Sequence, residues 1–167
     1  MKIPDFLAKG INEVLKIEPN GSNEEAVETT SELISKAEYR VHIVAGELDE
    51  FFYTSDSILN SIKEITNGNE HKDKNVDVTI IHSPNANPKS LQLLKEIKGI
   101  KIIRAKKRPS AHFMVVDNNV RIEDYHPPGK ECGRAYIVRD TSYLAEKMER
   151  EYQRLVASSF KKGREKK

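Results

Sequence analysis

One short stretch of the chain places a hydroxyl, an imidazole and a carboxylate at strand-like spacing: Ser110, His112 and Asp117. The four residues between His112 and Asp117 are all apolar and predict a buried strand that ends in a turn at residues 117–119. Alternate residues of a strand share a face, so the Ser110 and His112 β-carbons should lie about 6–7 Å apart on one face. A histidine near a hydroxyl can activate it as a nucleophile, which makes this stretch the first candidate site.

The stretch 110–119 resembles the active-site strand of the phospholipase D-like superfamily, which reads His-x-Lys-x4-Asp. Asp117 matches the motif aspartate, Ser110 stands at the position of the histidine, and His112 stands at that of the lysine. The resemblance extends from about residue 24 to residue 159. Helical and strand-like segments alternate over this range, and they predict an α/β fold whose mixed, mostly parallel sheet carries helices on both faces.

A second register of the same motif is open. If His112 is taken as the motif histidine, Met114 falls at the lysine position and Asn119 at the aspartate position. Either register retains only one of the three family groups. We prefer the first register because residues 113–117 reproduce the apolar strand and its terminal aspartate.

The two replaced groups determine what the resemblance implies for function. In the family's enzymes the histidine attacks phosphorus and the lysine neutralises phosphoryl oxygens, whereas this chain has Ser110 and His112 there. Single-motif members of the family form symmetric homodimers that bring two motifs together. The resemblance therefore implies a degenerate, homodimeric binding or regulatory module for phosphate-containing ligands or nucleic acid, with no cofactor. The alternative is an active phosphodiesterase or nuclease that uses His112 from two subunits.

Further candidate ligand-binding residues flank this strand. His82 ends a predicted strand, at the carboxyl end where α/β sheets place ligands. His126 belongs to a polar loop at 123–131, and a basic run precedes the motif strand: Lys106, Lys107 and Arg108. Each of these features also has a purely structural interpretation. In that interpretation His82 is a packed histidine, His126 belongs to a plain surface loop, and the basic run is a solvated strand exit. No metal site is predicted, because the nearby ligand types fit no metal-binding spacing: His112, Glu123, Asp124 and His126.

The 167 residues suit one domain, and three parts are predicted along the chain. Residues 1–22 read as an amphipathic segment that ends in a turn at 19–21, residues 23–160 as the α/β domain, and residues 161–167 as a basic disordered tail. No stretch approaches the roughly 20 apolar residues that cross a bilayer, and no secretory segment is visible. The single Cys132 fits a reducing compartment. We therefore expect a cytoplasmic protein without membrane insertion.

Overall fold

The computed structural model describes residues 17–20, 23–67, 76–123 and 135–160. Its strands are β1 (Ile17–Asn20), β2 (Arg40–Val44), β3 (Asp77–His82), β4 (Ile100–Arg104), β5 (Phe113–Val116), β6 (Asn119–Glu123) and β7 (Ala135–Val138). Its helices are α1 (Asn23–Ser35), α2 (Glu50–Tyr53), α3 (Asp56–Thr66), α4 (Pro88–Lys95) and α5 (Ser142–Phe160). None of these helices combines the length and the apolar character that a membrane crossing requires.

The strands form one sheet in the order β1-β7-β6-β5-β2-β3-β4. Among neighbouring strands only β2–β3 and β3–β4 are parallel, and a helical crossover joins each of these pairs. The β2–β5, β5–β6, β6–β7 and β1–β7 pairs are antiparallel. The α/β fold with a mixed sheet is confirmed, but the expectation of a mostly parallel sheet is wrong. The turn at residues 117–118 folds β5 and β6 into a hairpin, and the strands beyond it continue the antiparallel pairing.

Alternation along the strands gives the sheet two apolar faces. Ile43 and Ile80 lie in the larger core, together with Ile34 of α1 and Ile62 of α3. Residues one position further along the strands, such as Val44 and Ile81, pack on the other face with Ala145 and Tyr152 of α5. Helices therefore cover both faces, as the sequence pattern predicted. Each fully buried aliphatic side chain contributes about 1.5–3 kcal/mol to this packing.

One local feature differs from the sequence-based expectation. Residues 17–20, predicted to include a helix-ending turn, form strand β1, which pairs with β7 at the end of the described sheet. Between β2 and α3 lies the short helix α2, whose first turn is capped by the Asp49 side chain accepting from Phe52 N. Residues 1–16 and 161–167 lie outside the described residues, so the three-part division of the chain stays a prediction.

Candidate functional site

His112 lies directly before β5 and opposite Glu123 of β6. The His112 carbonyl accepts a hydrogen bond from Glu123 N at 3.0 Å, which extends the β5–β6 ladder by one pair. Directly opposed residues of an antiparallel pair project their side chains to the same face. Accordingly, His112 Nδ1 is 3.5 Å from Glu123 Oε2, and only 7% of the His112 surface is exposed. The hairpin thus pairs the candidate imidazole with a carboxylate.

Arg121 completes this pair from the same face of β6. Its Nη1 contacts Glu123 Oε1, and its guanidinium carbon lies 5.0 Å from the ring centroid of Phe52. Arg121 is buried, with 6% of its surface exposed. Burial alone would raise the pKa of Glu123, but the hydrogen bonds and charges of His112 and Arg121 outweigh it and lower that pKa to about 2. Glu123 is therefore a carboxylate at any physiological pH.

A second ion pair closes the other side of His112. Arg108 Nε is 2.8 Å from Glu47 Oε1, and Arg108 Nη2 is 3.3 Å from Glu47 Oε2, a two-point guanidinium–carboxylate contact. Burial would raise the pKa of Glu47, but the hydrogen bonds and charge of Arg108 lower it, and the nearby His112 adds to the lowering. Between these groups the His112 ring lies against Gly46, at whose α-carbon an added Cβ would come within 2.5 Å of His112 Cε1.

These five charged or titratable residues are called the His112 cluster below: Glu47, Arg108, His112, Arg121 and Glu123. Both guanidiniums contact a carboxylate inside the cluster. Phosphoryl transfer depends on cations aimed at the phosphoryl oxygens, and here both cations are already engaged by carboxylates. The His112–Glu123 contact is chemically capable of orienting an imidazole for proton transfer.

Ser110 and Asp117, the other predicted catalytic residues, do not join this cluster. β5 begins only at Phe113, so the continuous strand that was expected to align Ser110 with His112 does not extend that far. Ser110 is exposed, whereas His112 is buried. Asp117 lies beyond the opposite end of β5, about 16 Å from His112 at roughly 3.3 Å per residue.

Asp117 has a clear structural environment at that end. Its carboxylate accepts hydrogen bonds from the backbone nitrogens of Glu38, Tyr39 and Arg40 at 2.8, 3.1 and 3.1 Å. Its φ of 52° lies in the left-handed region, which aspartate tolerates better than most residues. The motif aspartate therefore fastens the α1–β2 connection to the β5–β6 turn.

The predicted ligand-binding residues are spread over the carboxyl end of the sheet. His82 is buried and its Nδ1 donates to the Ser83 carbonyl at 2.7 Å. Burial lowers the pKa of His82, the nearby Lys95 and Arg104 lower it further, and the Ser83 carbonyl opposes them. Lys106 and Lys107 are exposed, whereas Arg108 belongs to the His112 cluster. His126 lies outside the described residues.

Sequence reasoning missed three residues of the site. Gly46 and Glu47 follow β2 directly, at the carboxyl edge where ligands gather in α/β sheets, and this position was the available signal. Arg121 was visible as a charge two residues before Glu123 on a predicted strand, so the two had to share a face. Within the described residues, no group of three His, Cys, Asp or Glu side chains is arranged to hold a metal ion.

A separate ion cluster surrounds the buried His42 on the α5 face of the sheet. His42 Nδ1 is 2.7 Å from Glu149 Oε2, and His42 Nε2 is 3.2 Å from Asp77 Oδ2. The imidazole stacks on Tyr152 with ring centroids 4.1 Å apart. The two ring nitrogens of His42 thus face carboxylates from two different elements, α5 and β3. This cluster joins α5 to β2 and β3 and stands apart from the candidate site.

Comparisons with known proteins identify the fold. No protein-family model and no curated protein sequence matches the chain. Among solved structures, the chain is similar to Nuc, a phospholipase D family member from Salmonella typhimurium, with 18% identity, a TM-score of 0.63, and coverage of 85% of this chain and 94% of Nuc. NucT from Helicobacter pylori gives 16% identity, a TM-score of 0.61 and the same coverage of 85% and 94%.

A third similar structure is TrmBL2, an archaeal chromatin protein. It gives 10% identity and a TM-score of 0.60, with coverage of 93% of this chain and 61% of TrmBL2. At sequence identities of 10–18%, the structural similarity establishes the fold alone. The chain has the phospholipase D-like fold, as the motif strand indicated.

Proposed function

We propose that this domain is a non-catalytic, homodimeric module of the phospholipase D-like fold that binds a phosphate-containing ligand or nucleic acid in the cytoplasm. One observation carries the non-catalytic part of the proposal. The imidazole that replaces the family's lysine is buried beside Glu123, and the two nearest guanidiniums are paired with carboxylates. A family enzyme would instead direct positive charge at the phosphoryl group.

The electrostatics of the His112 cluster disfavour a phosphodiester at its centre. Glu47 and Glu123 both have lowered pKa values and carry negative charge at neutral pH. Two like charges 4 Å apart repel by about 4 kcal/mol at an effective dielectric constant of about 20. An anion entering the cluster would be repelled by both carboxylates. The two arginines, each paired with a carboxylate, leave the cluster without the net positive charge that would hold the anion. Ligand phosphates are better served by exposed cations outside the cluster, such as Lys106 and Lys107.

Two further points support a binding role. TrmBL2, with which the chain shares its fold, is a chromatin protein that binds DNA. The homodimer rests on the family's single-motif members, which pair two copies, and this chain contains one motif strand. A symmetric pair would bring two such strands and two basic loops into one assembly.

The second candidate is a phosphodiesterase or nuclease, and specific contacts favour it. His112 and Glu123 form an imidazole–carboxylate pair of the kind that supports acid–base catalysis. The Nε of Arg121 is buried and has no hydrogen-bond partner among the described residues, so it could donate to a phosphoryl oxygen that reached it. Turnover of a bis-aryl phosphodiester and of single-stranded DNA separates the two candidates. Activity that disappears in His112→Ala supports the enzyme and contradicts our proposal.

The binding role is tested by gel shift over a series of salt concentrations. We expect the wild-type protein to shift DNA, His112→Ala to retain the shift, and the double variant Lys106→Gln/Lys107→Gln to weaken it. Light scattering on the same samples should give the mass of a dimer. A monomeric protein that binds neither DNA nor inorganic phosphate would contradict the proposal.

A further inference from the structure

The edge of the domain formed by α4 and β4 is strongly basic. Residues 88–108 contain eight Lys or Arg residues and one acidic residue, Glu96, whereas the whole chain has a formal net charge of only +2. β4 is the last strand of the sheet, and α4 is the crossover helix that leads into it from β3. Residues 88–108 therefore carry a formal net charge of +7 while the rest of the chain is net negative, so positive charge is concentrated along this margin of the fold.

Three cations on this margin are available to a partner. Lys95, Lys98 and Arg104 are exposed, and within the described part of the chain none of them forms an ion pair with a carboxylate. Arg104 has a single long contact, from its Nη2 to the Pro84 carbonyl at 3.4 Å. By contrast, two neighbouring lysines are engaged: Lys89 with Glu50 and Lys101 with Asp77.

β4 supplies backbone hydrogen-bond donors beside these positively charged side chains. No described strand pairs with its outer side, so the N–H groups on that side face outward. Backbone N–H groups and lysine or arginine side chains are the groups that contact nucleic-acid phosphates. Lys95 and Arg104 also act together on His82, whose pKa they lower, so a positive potential extends to the carboxyl end of β3.

We propose that the α4–β4 edge, defined by Lys95, Lys98 and Arg104 and continued by Lys107, binds the sugar–phosphate backbone of duplex nucleic acid. This inference rests on the proposed binding function and adds where the ligand lies, which is along the sheet edge and away from the His112 cluster. The five residues of β4 extend about 16 Å, which corresponds to roughly five base pairs of a duplex measured along the helix axis at about 3.4 Å each.

The residue types of the edge also define the mode of recognition. Residues 88–108 contain no Phe, Tyr or Trp, so this segment itself offers no ring on which an unpaired base could stack. The available groups are point charges and backbone donors, which contact phosphates without reading bases. Binding should therefore be tolerant of sequence, strongly dependent on salt, and at least as strong for a duplex as for a single strand.

The test compares two triple variants that each lose three positive charges. The edge variant is Lys95→Gln/Lys98→Gln/Arg104→Gln. The control variant is Lys63→Gln/Lys147→Gln/Arg150→Gln, which removes exposed cations from α3 and α5. Fluorescence anisotropy measures the affinity of each full-length protein for a labelled 30-base-pair duplex at several KCl concentrations. Thermal unfolding confirms that both variants are folded.

We expect the edge variant to bind at least tenfold more weakly at low salt. The slope of log K against log salt should decrease in magnitude by nearly 3, since each lost phosphate contact removes about 0.9. The control variant should keep the wild-type slope. An edge variant with wild-type affinity and slope overturns the inference.

The remaining outcomes are also decisive. If the edge variant binds DNA normally while Lys106→Gln/Lys107→Gln does not, the proposed binding function stands and the α4–β4 location is wrong. If wild-type protein binds no duplex at any salt concentration, both proposals fail. If the edge variant changes only the oligomeric mass and leaves DNA binding intact, the edge is a contact between copies, and the inference is again overturned.

Discussion

The imidazole of His112 lies against the backbone of Gly46, so closely that an added Cβ there would be 2.5 Å from Cε1 and 2.6 Å from Nε2. This contact fixes the position of the ring from the β2 side, while Glu123 holds Nδ1 from the β6 side. The ring is therefore held between two strands that flank β5. The neighbouring strands thus determine where the His112 ring lies, and substitution of Gly46 tests the contact.

Gly46→Ala should destabilise the protein by about 1–3 kcal/mol, the usual range for forcing extra atoms into a packed site. Urea unfolding measures the loss. In the double variant with His112→Ala the clash is removed, so the cost of Gly46→Ala should largely disappear. If the two single effects simply add, the contact between Gly46 and His112 does not determine the cost.

Glu123→Gln should reduce the dependence of stability on acid pH. The pKa of Glu123 is about 2 in the folded protein and near its ordinary value of 4.5 when unfolded, so its contribution is present above pH 5 and is lost as pH falls towards 2. The shift corresponds to roughly 3 kcal/mol. Urea unfolding at several pH values should show a shallower acid decline for Glu123→Gln. The exposed control Glu64→Gln should follow the wild-type curve.

Asp117→Ala should lower stability by about 2–4 kcal/mol, because three backbone N–H groups lose their acceptor and alanine fits a positive φ poorly. Asp117→Asn keeps one acceptor oxygen and tolerates the same backbone angle, so it should lose less. Thermal unfolding ranks the three proteins. A larger loss for Asn than for Ala would contradict the structural role that we assign to this carboxylate.

His42→Ala should loosen α5. The variant removes the contacts to Glu149 and Asp77 and the stack on Tyr152, and it leaves two carboxylates without their shared partner. The substitution should then accelerate hydrogen exchange more in residues 142–160 than in α3, which packs on the other face of the sheet. Uniform acceleration over both helices would mean that His42 stabilises the whole domain and not specifically α5.

The fold could be predicted from the motif strand and its turn because the signals for both are local in the sequence. Four apolar residues followed by Asp117 and two asparagines define β5 and the turn, and the helical crossovers define the parallel strands. The proportion of antiparallel pairs was missed because two of them, β2–β5 and β1–β7, join strands that are distant in sequence. No local pattern in Ile17–Asn20 indicates that β7 will be its neighbour.

The site was only partly accessible to the same reasoning. His112 was identified, but its partner Glu123 depends on the hairpin register, and Glu47 with Arg108 depends on a loop that returns across β2. Ser110 was paired with His112 on the assumption that the strand starts before it. The strand begins only after His112, so spacing in the sequence did not translate into a shared face.

The proposed binding role requires that the His112 cluster, whose charges pair internally, does not transfer phosphoryl groups. The most direct measurement is a single-turnover assay, with wild-type protein in excess over a bis-aryl phosphodiester, monitored for aryl alcohol release beside His112→Ala. We expect both proteins to match the uncatalysed rate. Release by the wild-type protein that is at least tenfold above that rate and is abolished by His112→Ala would show that the domain is an enzyme.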